Sequence, residues 1–162
     1  MKNEHGFSLV ELLIVVAIIA IIAAIAVPSL LTSRMAANEA SAIQGCRTIG
    51  SAEIAFAATN NQQFTGLADL YTGQFLDSRY SLAANVINGY TYAAGAVNVE
   101  GGTAFAANLP TAFAFQAGPG AGLGRFTYGI GPDMVVRILG FQTPATQFPT
   151  GSMAGTPIGK NN

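Results

Sequence analysis

The sequence predicts an α+β fold, in which a long N-terminal α-helix packs on a three- to four-stranded antiparallel sheet. Three observations predict it. Residues 7–27 form an apolar run interrupted only by Ser8 and Glu11, residues 29–59 are rich in alanine and free of proline, and short alternating runs follow between glycine- and proline-containing turns. The first half of the helix is expected to span a membrane and the second half to be amphipathic, with a kink near Pro28.

The 162 residues suit one globular unit. Charged residues make up 9% of the chain and hydrophobic residues 51%, which marks a part that is greasy or self-associating. A formal net charge of -1 offers no basic field, so no specific nucleic acid is expected as a partner. Cys46 is the single cysteine, which excludes an intramolecular disulfide and a cysteine zinc cluster. The single histidine, His5, precedes the apolar run. No catalytic residue, cofactor or metal is therefore expected.

Residues 1–6, MKNEHG, are polar, and the border with the apolar run falls at Gly6-Phe7. Twenty-one helical residues would extend about 31 Å, the thickness of a bilayer's hydrocarbon core. The strongly apolar side chains of this run favour insertion by roughly 4 to 8 kcal/mol, against about 3 for a central carboxylate. Insertion wins even with Glu11 charged. A conventional secretory signal has a shorter apolar core, though Ala24-Ile25-Ala26 could serve as its cleavage triplet. A plain single-span anchor explains the length, but neither Glu11 nor the abrupt step at Gly6.

Gly6-Phe7-Ser8-Leu9-Val10-Glu11-Leu12-Leu13 closely resembles the class III signal of type IV prepilins, and the match extends through Pro28. The resemblance implies cleavage between Gly6 and Phe7 by a membrane-embedded prepilin peptidase, followed by N-methylation of Phe7. Glycine suits a cleavage site because its backbone extends freely. The resemblance also implies that Glu11 pairs with the N-terminal amine of a neighbouring subunit and so sets assembly register. A glutamate snorkelling to the interface is the plainer alternative. Pro28 removes one helical hydrogen bond, which kinks the helix or ends its membrane part. In pilins that this chain resembles, the region before this proline often melts in the filament.

Helix is expected to continue through residue 59, for a total of about 80 Å. At 100° per residue, Ala36, Ile43, Cys46, Gly50, Ile54 and Ala57 share one face, which should pack on the sheet. Ile49 and Phe56 form a second stripe, suited to ordinary packing or to contact with a neighbouring subunit. Gly45 and Gly50 cost helix stability and call for tight packing or flexibility. Cys46 reads as a small buried hydrophobe, with reactivity or crosslinking as the alternatives.

Asn60-Asn61-Gln62-Gln63 should end the helix. An irregular connection follows, with a short helix near Leu67-Leu70, tied down by Phe64, Leu67, Leu70, Phe75 and Leu76. Asn88-Gly89 signals a turn, and strands are expected from Tyr90 and over Ala112–Ala117, Arg125–Ile130 and Met134–Leu139. Gly131-Pro132-Asp133 makes the last hairpin turn. This layout also looks like the globular half of bacterial pilins and pseudopilins. The expected organisation is thus a leader (1–6), a long helix (7–59), a head (60–139) and a polar Pro/Gly/Thr-rich tail (140–162), either mobile or draped over the sheet.

The glycine run 118–124 lacks the Lys-Ser/Thr pair and helix of a phosphate loop. Asp69, Asp77, Glu100 and Asp133 are too dispersed for a calcium loop. The expected function is a structural subunit, held in the inner membrane and then polymerised with copies of itself by an inner-membrane assembly platform into a type IV pilus. The alternatives are the major pseudopilin of a type II secretion system, forming a periplasmic pseudopilus, and a low-abundance anchored module binding DNA or a receptor.

Overall fold

The computed structural model describes residues 7–80, 86–95, 112–141 and 156–158. In chain order these form α1 (Leu9–Thr59), α2 (Leu67–Thr72), a 3-10 turn (Ser78–Tyr80) and strands β1 (Val86–Ile87), β2 (Tyr90–Ala94), β3 (Phe115–Pro119), β4 (Phe126–Ile130), β5 (Arg137–Phe141) and β6 (Thr156–Pro157). The chain divides into two compact units, Met1–Arg34 and Met35–Asn162. The second contains the sheet and its core.

Helix α1 ends where the sequence places its stop. Asn60 turns its side-chain amide back onto the Phe56 carbonyl at 3.0 Å. Asn61 and Gln62 adopt left-handed φ values of 51° and 61°, and the Gln62 N–H closes the cap on the Ala57 carbonyl at 2.9 Å. The buried face of α1 comprises Glu39, Ala42, Gly45, Cys46, Ile49, Gly50, Ala52, Glu53 and Ala57. This face keeps Cys46, Gly50 and Ala57 of the expected one, with Ile43 half-buried against the core, but is rotated towards Ile49. Ile49 is fully buried, whereas Ile54 is 46% exposed and Ala36 is exposed. Phe56 is half-buried and meets Phe75 edge-on at 5.5 Å, so both members of the second stripe pack within the chain.

The two helix glycines are explained by close approach. A Cβ on Gly45 would overlap the Tyr92 ring, with Cζ only 2.6 Å away. A Cβ on Gly50 would meet Ile130 Cδ1 at 2.8 Å and Met134 Sδ at 2.9 Å. Cys46 is fully buried in the same core, where burial pushes its thiol up to about 12. Below that pH it remains a thiol, as a small hydrophobe does not require ionisation.

The sheet is antiparallel with order β1-β2-β3-β4-β5-β6. Four five-residue strands were legible as runs, and two-residue strands extend the sheet at each edge beyond the three or four expected. One of these, β6, lies in the expected tail. Asn88 and Gly89 have φ of 49° and 77°, both left-handed, as a two-residue hairpin between β1 and β2 demands. Strand β5 starts three residues later than the alternation suggests. Met134 takes φ of 60°, its N–H bonds the Gly131 carbonyl, and Asp133 accepts from the Val135 N–H and from Arg137. These bonds keep the segment in the turn. Strand β3 likewise lies later, because register with β2 carries it to Pro119 opposite Tyr90.

Phe113 and Phe115, Tyr90 and Tyr92, and Tyr128 and Ile130 join the α1 face in one core, with Leu67, Leu70 and Leu76 anchoring the connection from α2. Phe64 closes on Phe113 at 5.0 Å. Gly45→Ala is expected to destabilise this unit by about 1–2 kcal/mol, because overpacking against a ring buried between helix and sheet outweighs the roughly 1 kcal/mol helix gain. Gly50→Ala, facing flexible side-chain ends, should be near neutral. Thermal unfolding of the full chain in detergent micelles, followed by circular dichroism, checks the contrast.

Candidate membrane-inserting and assembly segment

Residues 7–34 begin with a helix cap. Ser8 immediately precedes the first helical residue, and Glu11 lies three positions on. The Ser8 N–H donates to Glu11 Oε2 at 3.0 Å, and the Leu12 N–H closes the first turn on the Ser8 carbonyl at 3.2 Å. This is the glutamate half of a capping box, and the helix dipole favours a negative group at the same place. The carboxylate of Glu11 thus has a partner within its own chain. The S-x-x-E spacing before an apolar run carries that signal in the sequence.

Phe7 lies just outside the cap and is 80% exposed. Gly6 lies outside the described residues. Beyond the cap, every large apolar side chain through Leu31 is at least 47% exposed. One helix among the described residues is long and apolar enough to cross a membrane, and its best window has mean hydropathy 3.2 with none of it buried. Leaving so many Leu, Ile and Val side chains half in water costs on the order of 20 kcal/mol. A surface of that kind requires lipid or protein around it.

Pro28 lies inside α1, which continues past it to Thr59. It withholds the N–H that the Ala24 carbonyl would otherwise accept. Directly after it, the Thr32 and Ser33 hydroxyls both donate to the Ser29 carbonyl at 2.9 Å. Hydroxyls satisfied within the helix can sit in apolar surroundings without an unmet donor.

In the second unit, α1 is clamped to two hairpin loops. Asn38 Nδ2 donates to the Leu123 carbonyl at 2.8 Å, and Asn88 Nδ2 donates to Ser41 Oγ at 2.8 Å. Between them, Glu39 Oε1 accepts from the Arg125 backbone N–H at 2.8 Å and from its Nε at 3.0 Å, while Oε2 accepts from the guanidinium NH2 group at 2.9 Å. The Arg125 side-chain hydrogen bonds hold the Glu39 carboxyl below the usual range despite its burial. Sequence reading missed this pair, whose members lie 86 residues apart. Of the four carboxylates too dispersed for a calcium loop, Glu100 lies outside the described residues and Asp69 accepts from the Thr65 hydroxyl. Asp77 pairs with Arg79 and Asp133 with Arg137, and among the described residues no three His, Cys, Asp or Glu side chains cluster.

Comparison with known proteins bears on the N-terminal segment. The prokaryotic N-terminal methylation motif matches residues 1–27. Over 39 residues, the chain is 51% identical to the Type IV wide pilus major component PilA4 of Thermus thermophilus, an alignment covering 24% of this chain and 30% of that relative. The similarity thus spans less than a third of the relative's length.

Arg125→Ala is expected to destabilise the second unit at neutral pH, since it leaves the buried Glu39 carboxylate with no guanidinium. Glu39 has a depressed pKa, so the stability it contributes is present above its unfolded value of 4.5 and is lost as pH falls below it. Denaturant titrations at several pH values should show the gap between variant and wild type closing in acid.

Proposed function

From a first helix that opens on a type IV pilin methylation motif, we propose that this chain is a prepilin and a structural, non-enzymatic subunit of a type IV pilus. A prepilin peptidase removes residues 1–6 by cutting between Gly6 and Phe7, and the new Phe7 amine is methylated. The helix then holds the subunit in the inner membrane until an assembly platform polymerises it with other copies. The observation that carries this reading is the apolar first part of α1, unburied through Leu31 and bearing a single carboxylate in its first turn.

An apolar helix that is stable in lipid can leave it only for surroundings equally dry, and a bundle of identical helices supplies them. Glu11 is costly in such a bundle unless paired. The Ser8 N–H supplies one donor, which leaves the other carboxylate oxygen to accept from the amine of a neighbouring Phe7. Such pairing fixes axial register in the filament, because a slip of one subunit against the next separates the charges. Pro28 marks a point where the helix yields during packing. The name of the Thermus relative, a wide pilus major component, supports a pilus over a secretion pseudopilus.

Mass spectrometry of the mature protein should find Phe7 at the N-terminus bearing one methyl group. Retention of Met1 would refute the reading. Glu11→Ala should leave the subunit in the membrane at normal levels while abolishing surface filaments, scored by electron microscopy. Undiminished filaments would refute the register role.

A further inference from the structure

Glu53 lies on the buried face of α1 and is fully inaccessible to solvent. Its Oε2 accepts from the Thr65 backbone N–H at 3.1 Å. Its Oε1 is buried with no hydrogen-bond partner among the described residues. The contact ties the connection between α1 and α2 to the helix. Immediately beside it, Phe64 seats on Phe113, and the Thr65 hydroxyl donates to Asp69 Oδ2 at 2.6 Å. The segment before this tie, Asn60 to Gln63, is exposed.

Among the described residues no cation pairs with Glu53. Arg79, Arg125 and Arg137 are paired with Asp77, Glu39 and Asp133. Arg47 on α1 is exposed, and the carboxylate of Asp69 faces the Thr65 hydroxyl. One N–H donor satisfies a neutral carboxyl far better than it satisfies a buried charge. Burial accordingly pushes the Glu53 carboxyl up to about 7, with the Thr65 N–H opposing.

We propose that Glu53 is a proton-operated latch on the α1–α2 connection, closed while its carboxyl is protonated and released when it ionises. Release breaks the Thr65 contact and lets water reach Oε1. The sign follows from linkage. A carboxyl whose folded pKa is raised stabilises the closed state below the ordinary value of 4.5, and that contribution is lost as pH rises towards about 7. In this window the equilibrium constant for local opening rises about tenfold per pH unit. Glu39, Asp77 and Asp133 are held low by their arginines and titrate below it. The latch is independent of whether the chain builds a pilus.

Hydrogen exchange of the full chain in detergent micelles, corrected for the intrinsic pH dependence of exchange, tests the latch between pH 5 and 8.5. Protection of residues 60–70 should fall about tenfold per unit to near neutrality and then level off, while β3 and β4 hold constant. Glu53→Gln, which cannot ionise, should abolish the pH dependence. A flat wild-type profile, a matching fall in β3 and β4, or an unchanged profile in Glu53→Gln would each overturn the proposal. Should that variant not fold, the carboxyl carbon resonance of Glu53 in the wild-type protein decides. A midpoint near 7 supports the latch, and one in the ordinary glutamate range overturns it.

Discussion

Between Glu39 and Ala57 the helix backbone lies so close to the residues packed on it that a Cβ at two of its positions would press on their side chains. Tyr92 fills the space over Gly45, and Ile130 and Met134 fill that over Gly50. Each glycine weakens the helix by about 1 kcal/mol relative to alanine, and buried aromatic area offsets that loss. The rest of the head follows from this approach. A tyrosine that reaches the helix fixes β2, the register of β2 with β3 places Phe115 and Ala117, and Phe113 then receives Phe64 from the connection after α1.

Polar side chains make the same approach specific. Glu39 lies on the core face and would be intolerable there alone, but Arg125 brings a backbone N–H and a guanidinium to it. Glu53, on the same stripe, receives only one N–H. Two glutamates fourteen residues apart on one helix therefore acquire opposite proton affinities, the first lowered by hydrogen bonds and the second raised by burial. The helix dipole has no part in this, since both lie well inside α1.

Contiguous signals were legible in the sequence, and those requiring a distant partner were not. The apolar run, the Asn60-Asn61-Gln62 stop, the Asn88-Gly89 turn and the short helix near Leu67 each depend on neighbouring residues, and the structure has all four. The facing of α1 was off by part of a turn because alanine and glycine carry little hydrophobic contrast. With Ala at many positions, Ile43 and Ile54 dominated the pattern, yet Ile43 only borders the core, Ile54 is exposed and Ile49 is fully buried. Glu39 and Glu53 gave no signal of their roles, because nothing near them in sequence announces an arginine 86 residues away or a backbone amide 12 residues on. The late start of β5 depended on Asp133 and Met134 holding the turn open, which alternation does not encode.

The sheet ends on each side in a strand of two residues, β1 and β6. In a polymer, heads are crowded at concentrations far above those of free subunits, and long open strand edges would invite neighbouring heads to zip together through their backbones. Among the described residues, each outermost strand offers at most a fragment of ladder. In the filament proposed above, backbone pairing between heads would thereby be discouraged, and the choice of which copy sits beside which would fall to side chains.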